Sequence, residues 1–306
     1  GFVLLMGGGE ALVQGATRIS QNLSISPIVV GFTVVAVGTS LPELAVAIEA
    51  VGNDAPDIAI GGVLGSNVAN VMLVLGTAAF LGARSEGGEG VKRDSVAVIA
   101  ATAFMAVFVF GGEVPLSGGV VMLSCLIAYY YYTYSKAIAG DDEYEFEDSW
   151  LPGNMSVAIP ACIIGGAMIW LGAILLVDGS TNIAETFGVS EAVIGLTIVA
   201  LGTSLPELAV TVVAGLRGQG GVAVGNVLGS NVMNIMGIIS IASIFGGGIV
   251  VDSEFTRDIL VVIATSGFVV TAFLRGKDFS RTVGSLMILT YISYMTYLSG
   301  ILDGLV

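Results

Sequence analysis

Gly38-Thr39-Ser40-Leu41-Pro42-Glu43-Leu44-Ala45-Val46 occurs twice, returning letter for letter as Gly202 to Val210. Each copy places a proline and a glutamate inside a long apolar run. Proline has no backbone N–H, so Pro42 leaves the carbonyl of Gly38 without its helical partner, and Pro206 does the same to Gly202. If the run crosses a membrane, freed carbonyls persist only where protein, water or an ion satisfies them. Glu43 follows Thr39 by four residues and Ser40 by three, so the three side chains can share a helix face. The product is a cluster of oxygens (a carboxylate, two hydroxyls and loose carbonyls) of the kind that binds hard cations such as calcium and sodium.

The surrounding composition supports a membrane setting. The 306 residues are 55% hydrophobic and 11% charged, where a soluble domain carries about 25% charged residues. The apolar runs are long enough for helices across ~30 Å of hydrocarbon, and the ten-residue alternation of an outer-membrane barrel is not seen. The net charge of −14 argues against nucleic acid, whose phosphates need Lys and Arg. The two cysteines, Cys125 and Cys162, lie in apolar segments and read as small buried hydrophobes. The absence of histidine removes imidazole metal sites and histidine proton relays. No cofactor motif and no nucleophile–base pair is visible, so an enzyme is not expected. The chain starts at Gly1 without methionine, which reads as a trimmed first helix, and no separate signal peptide is found.

Taken in order, the pattern predicts an all-α integral membrane protein of ten helices, near residues 1–20, 27–51, 58–82, 94–110, 116–136, 156–186, 191–215, 222–246, 256–274 and 281–301. Tyr129 to Tyr132 fall where an interfacial aromatic belt would lie. The one strongly polar stretch, Gly140 to Asp148, reads as a solvated acidic linker. A regulatory cation-binding loop is the sharper alternative, but the glycine and ligand spacing of a calcium loop is missing. A shift of 164 residues superimposes Gly15 on Gly179, Ser26 on Ser190, Gly31 on Gly195, Val63–Val68 on Val227–Val232, and Asn70 on Asn234. The expected organisation is therefore a five-helix repeat (1–136), the linker (137–155) and a second five-helix repeat (156–306).

Five is odd, so the second copy enters the membrane from the opposite side. That is the inverted repeat of many secondary transporters, with the ion site near the midplane. Arg18, Arg84, Lys92, Arg93, Lys136, Arg217, Arg275, Lys277 and Arg281 gather at one set of helix ends, and only Arg257 lies at the other. The positive-inside rule makes the first set cytoplasmic. A cell-membrane protein follows, with both termini outside and the acidic linker inside. The outer surface then carries Asp54, Asp57, Glu113, Glu185, Glu191, Asp252, Glu254 and Asp258.

Opposed at one depth, the two motifs supply Glu43 and Glu207 with the hydroxyls of Thr39, Ser40, Thr203 and Ser204. Ser66 shares a face with Asn70, and Ser230 with Asn234, by their four-residue spacing. Ser, Thr and Asn also glue membrane helices together, and for Asn67 and Asn231 that reading weighs as much as ligation. It does not suit the glutamates. A carboxylate at the bilayer centre costs about 2.5–3.5 kcal/mol on insertion scales, and no lysine or arginine lies inside these central segments. Two such carboxylates match one divalent cation or two monovalent ones.

The paired Gly-Thr-Ser-Leu-Pro-Glu stretches, each followed by Gly-Ser-Asn-Val-x-Asn, closely resemble the two alpha-repeats of the calcium/cation antiporter superfamily, with the prokaryotic sodium/calcium exchangers as the nearest branch. The resemblance covers nearly the whole chain. It implies alternating access and exchange of extruded Ca2+ for entering Na+, with metal cations and the lipid bilayer as partners, no cofactor and no obligatory protein partner. It also implies that Glu43, Glu207 and the carbonyls of Thr39 and Thr203 hold calcium. Sodium would use Ser40, Ser66, Asn70, Ser204, Ser230 and Asn234, with the carbonyls of Ala36 and Ala200. Asn234 departs from relatives that carry aspartate there; asparagine resembles the potassium-independent branch and leaves the driving ion open. A proton-driven calcium exchanger is the first alternative. A cation channel is disfavoured, because channels usually assemble a pore from several subunits. Three further acids fall in or near the membrane. Glu49 either lines an outer vestibule or reaches the interface, and Glu10 and Asp178 are either protonated or cavity-facing.

Overall fold

In the computed structural model the described residues are 1–84, 88–139, 149–187 and 202–298, without the side chain of residue 185. They are almost entirely helical: α1 (Phe2–Leu23), α2 (Pro27–Thr39), α3 (Leu41–Gly52), α4 (Pro56–Leu81), α5 (Glu89–Gly111), α6 (Leu116–Ala139), α7 (Met155–Thr186), α8 (Leu205–Leu216), α9 (Gly220–Gly246), α10 (Phe255–Leu274) and α11 (Arg281–Leu298). Six of the described helices are long and apolar enough to cross a membrane, and seven if the α2–α3 pair is one span. α1 and α11 are not among them; Glu10, Gln14 and Arg18 dilute the first, and Arg281 with a run of Ser, Thr and Tyr dilutes the second.

Several expected boundaries move. The second expected helix is two helices, bent by 44° at Ser40, where the first motif places Pro42. The third begins earlier, at Pro56, because proline is tolerated in a helix's first turn. The fourth begins at Glu89, so Lys92 and Arg93 belong to it rather than to a loop. The fifth continues to Ala139. The acidic stretch 140–148, the first half of the expected seventh helix with Ala200 and Glu191, and the chain after residue 298 lie outside the described residues.

Two glycine contacts fix the arrangement. α1 and α7 pack antiparallel: Gly8 lies against the Gly165 carbonyl and Gly15 against Ala158 and Cys162, while Gly172 lies against Leu5. These glycines recur every seven residues, and a Cβ on Gly165 would stand 2.6 Å from the Leu12 nitrogen. Only glycine permits so close a backbone approach. α2 and α9 instead run parallel, with Gly225 against Ile28 and Phe32, and Gly229 against Phe32 and Ala36.

Short strands β1 (Glu113–Pro115) and β2 (Gly248–Val250) pair antiparallel, Val114 opposite Ile249. They bring the ends of α5 and α9 to one face of the molecule, where Gly52 of α3 also meets Phe245. On the opposite face Gly220 abuts Arg84, and Arg18 binds the backbone carbonyls of Ser149, at 2.6 Å, and Leu151. α4 and α9 form the centre, 72% and 89% of their most apolar windows being buried, whereas α6 and α7 are 22% and 28% buried and present apolar side chains outward. The tyrosine group splits accordingly. Tyr131 and Tyr132 are exposed, whereas Tyr129 and Tyr130 turn inward to make edge contacts with Phe32.

Candidate cation site

The site lies where α2 hands over to α3, α8 begins, and α4 and α9 cross. Ser40 leaves helical geometry at φ −87°, ψ 3°, and Ser204 does nearly the same at φ −86°, ψ 0°. In both copies the residue before Leu-Pro-Glu departs from helical geometry, and the proline occupies the first turn of the helix that follows. Farther along α4 and α9, the runs Asn70–Val74 and Met233–Ile239 widen into π-helical turns. Both follow a Gly-Ser-Asn-Val segment, so each repeat distorts its helix beside the site, and π-turns are frequent at functional sites.

Glu43 and Glu207 are both buried, at 6% and 0% exposure. Neither forms an ion pair among the described residues, and no third Asp, Glu, His or Cys there joins them. Glu207 Oε1 accepts long hydrogen bonds from Ser40 Oγ at 3.4 Å and Ser230 Oγ at 3.5 Å. Its other oxygen and both oxygens of Glu43 have no hydrogen-bond partner among the described residues. The same holds for both amide atoms of Asn70, both of Asn231, the oxygen of Asn234 and the hydroxyl of Ser204. Buried acceptors are normally satisfied. The oxygens among these atoms fall on a few turns of four helices, and their chemistry is that of an oxygen cage for a hard cation.

The other expected ligands fall around this centre. Ser66 lines a cavity of about 470 Å³ and Thr203 sits beside it. The Ala36 carbonyl accepts the Ser40 N–H at 3.0 Å and the Thr39 hydroxyl at 3.3 Å, so it is bonded within the helix. Asn67 and Asn231, repeat mates, meet where α4 crosses α9. Asn67 Nδ2 donates to the Asn231 carbonyl at 3.3 Å, and Asn234 Nδ2 donates to Asn67 Oδ1 at 3.1 Å. Glu49 and Asp178 are exposed. Glu10 has two partners: Arg217 Nε donates to one oxygen and Trp150 Nε1 to the other, both at 2.9 Å.

Two residues were not anticipated. Asn226 and Thr211 are fully buried and close the second half of the site. Thr39 Oγ1 donates to Asn226 Oδ1 at 3.2 Å, and Asn226 Nδ2 donates to Thr211 Oγ1 at 3.4 Å. Their repeat mates are Gly62 and Ala47, which offer no polar side chain. In the first half those two, with Glu43 and Thr203, line a cleft of about 20 Å³ that shares Thr203 and Gly62 with the larger cavity. The cleft and the cavity thus adjoin on the Glu43 side, toward the β1–β2 face, whereas on the Glu207 side Thr39, Asn226 and Thr211 occupy the equivalent positions among the described residues.

The chain matches the family described as "Sodium/calcium exchanger protein" over residues 1–135 and 157–300. It is 34% identical to the putative antiporter CaxA of Alkalimonas amylolytica, across 96% of this chain and 95% of that one. It is 31% identical to the sodium/calcium exchanger MaX1 of Methanosarcina acetivorans, across 97% and 96%. A structure of the sodium-calcium exchanger NCX_Mj soaked with Na+ and Sr2+ superimposes with a TM-score of 0.83 at 32% identity, covering 96% of this chain and 95% of that one.

Proposed function

The chain belongs to the sodium/calcium exchanger family, and we propose that it is a multi-pass membrane antiporter that moves calcium against sodium through the site built on Glu43 and Glu207. The observation that carries this reading is the pair of buried carboxylates with unpartnered oxygens among neutral oxygen donors. Two negative charges balance one calcium ion or two sodium ions. The same oxygens serve both cargoes, so the ions compete, and exchange follows from that competition. Without a cation, the carboxylates would face the bilayer centre uncompensated, at a cost of several kcal/mol. The protein therefore crosses between its two accessible states only when loaded, which couples the two fluxes.

Calcium binds the Glu43 and Glu207 carboxylates with the Thr39 and Thr203 carbonyls. Sodium adds Ser40, Ser66, Asn70, Ser204, Ser230 and Asn234, with the carbonyls of Ala36 and Ala200. Ten spans form two inverted repeats, 1–136 and 156–306, around this centre, joined by the segment 137–155. The antiparallel α1–α7 packing, the pairing of β1 with β2 and the repeated breaks at Ser40 and Ser204 support that organisation. The distribution of Lys and Arg puts the face that carries β1 and β2 outside, with both termini, and the acidic segment inside.

The deciding experiment is calcium flux in sealed vesicles holding the full chain. An outward sodium gradient drives calcium uptake, and the uptake disappears when potassium or choline replaces sodium. Uptake that ignores the sodium gradient and follows a pH gradient sinks this reading.

A further inference from the structure

Beyond the central site, the 164-residue shift pairs Arg93-Asp94 with Arg257-Asp258, and Tyr130 with Tyr294. The two copies have different surroundings. Asp94, near the start of α5, is fully buried. Arg93 Nε donates to it at 2.9 Å, and Tyr129 OH donates to the same oxygen at 2.6 Å. Asp258, in the first turn of α10, is half-buried and accepts a 3.2 Å hydrogen bond from Tyr294. The neighbouring Arg257 is exposed and makes no ion pair with it among the described residues. Asp258 and Tyr294 line the same cavity of about 470 Å³ that reaches Ser66 and Thr203 at its inner end.

We propose that Asp258, held by Tyr294, is an additional cation-binding carboxylate in the vestibule: it draws calcium into the cavity on the β1–β2 face before the ion reaches Glu43 and Glu207. The rest of the cavity wall is apolar or neutral (Val46, Ile58, Leu64 and Met295 among others), so among the residues that line it this carboxylate is the one charged group. A charge in a low-dielectric cleft concentrates counter-ions and speeds their entry. Asp94 has no such role in this state, because Arg93 neutralises it and no solvent reaches it. The proposal rests on calcium being the cargo.

The test compares Asp258→Asn with the wild-type chain in sodium-loaded vesicles of known sidedness. In right-side-out vesicles, the half-saturating calcium concentration rises about threefold to tenfold, while the rate at saturating calcium changes by less than about twofold. Asp258→Glu restores most of the loss. Added choline chloride shrinks the difference, because salt that enters the open cavity screens the charge on its wall; a purely structural role for Asp258 would not respond to salt in this way. In inside-out vesicles the half-saturation stays within about twofold. Should the amide variant not reach the membrane, Asp258→Ser takes its place. An unchanged external half-saturation, or an equal rise from both sides, overturns the proposal. If Glu43→Gln also abolishes sodium-driven uptake, that result removes the vestibule residue alone and leaves the exchange reading standing.

Discussion

Glu43 and Glu207 sit in identical stretches of sequence, yet the two halves of the site they build are not alike. Around Glu207, the positions one turn farther along each helix are Thr211 and Asn226, joined to Thr39 by two hydrogen bonds. Around Glu43 the same positions are Ala47 and Gly62, and a cleft replaces the polar seal. The repeat therefore supplies the symmetric part, two carboxylates that a cation must neutralise. The departures from the repeat supply the asymmetric part, a cleft beside Glu43 and a hydrogen-bonded polar cluster beside Glu207 among the described residues. Alternating access needs two states related by exchanging these roles, and the closed half has hydrogen bonds to break that the open half never makes.

The largest expected effect tests the symmetric part. Glu43→Gln and Glu207→Gln each reduce sodium-driven calcium uptake by at least about a hundredfold, because a calcium ion facing one carboxylate is left half neutralised in a low-dielectric site, at a cost of about 3 kcal/mol or more. The two losses are equal within a few-fold if the carboxylates share one ion. Uptake by either variant at more than a tenth of the wild-type rate would mean that its carboxylate is not a ligand.

A smaller effect tests the asymmetry. Asn226→Gly gives the closed half the residue that the open half already has. In a Thr39→Cys background, where a thiol replaces the Thr39 hydroxyl, it removes the Asn226–Thr211 hydrogen bond of about 0.5–1.5 kcal/mol, which raises the population open to the cytoplasmic face about twofold to tenfold. The measurement is labelling of Thr39→Cys by a membrane-impermeant thiol reagent applied from that face, with Thr203→Cys labelled from the other face as reference. Thr203→Cys reacts readily in the parent chain and Thr39→Cys does not. Asn226→Gly raises the second rate toward the first. If Thr39→Cys labelling is unmoved, the seal lies elsewhere.

These results separate what the residues disclosed from what only the fold could. The glutamate pair was legible because a proline and a carboxylate are costly in an apolar helix, and because their recurrence 164 residues later is unmistakable. The break at Ser40 followed from Pro42. Asn226 and Thr211 were missed because a repeat alignment draws attention to positions that match, and these two face Gly62 and Ala47. The correspondence of Asp94 with Asp258 and of Tyr130 with Tyr294 was present in the same shift, although Asp94 takes its hydrogen bond from the neighbouring Tyr129. It was hidden by starting the fourth helix at residue 94, which left Arg93 in a loop, when both Arg93 and Asp94 lie inside α5. Glu10 was the reverse case. Its sequence suggested an uncompensated acid, and its partner Arg217 is 207 residues away, a distance no local pattern spans.

The smallest expected effect concerns Asn70 and Asn234, repeat mates that offer neutral amides beside the two glutamates. Asn234 Nδ2 donates to Asn67 Oδ1 at 3.1 Å, whereas both amide atoms of Asn70 have no partner among the described residues. An aspartate at either position adds a third negative charge, which an additional monovalent cation or a proton must offset. Both variants should therefore make calcium flux more sensitive to potassium or to pH than the wild type, whose exchange is expected to need no potassium. They differ in stability. Asn234→Asp gives up a donor and sets a carboxylate against the Asn67 carbonyl oxygen, while Asn70→Asp breaks no hydrogen bond. The difference is about 0.5–1.5 kcal/mol, or a melting temperature lower by about 1–5 °C for Asn234→Asp than for Asn70→Asp in detergent without calcium. Calcium should raise both midpoints and leave the gap unchanged, because a cation that binds only the folded state adds the same linkage term to each when their affinities match. If the two variants melt together without calcium, the Asn234–Asn67 hydrogen bond does not contribute and the halves are alike at this position. If Asn70→Asp melts lower, its amide makes a bond outside the described residues, and the asymmetry between the halves runs the other way.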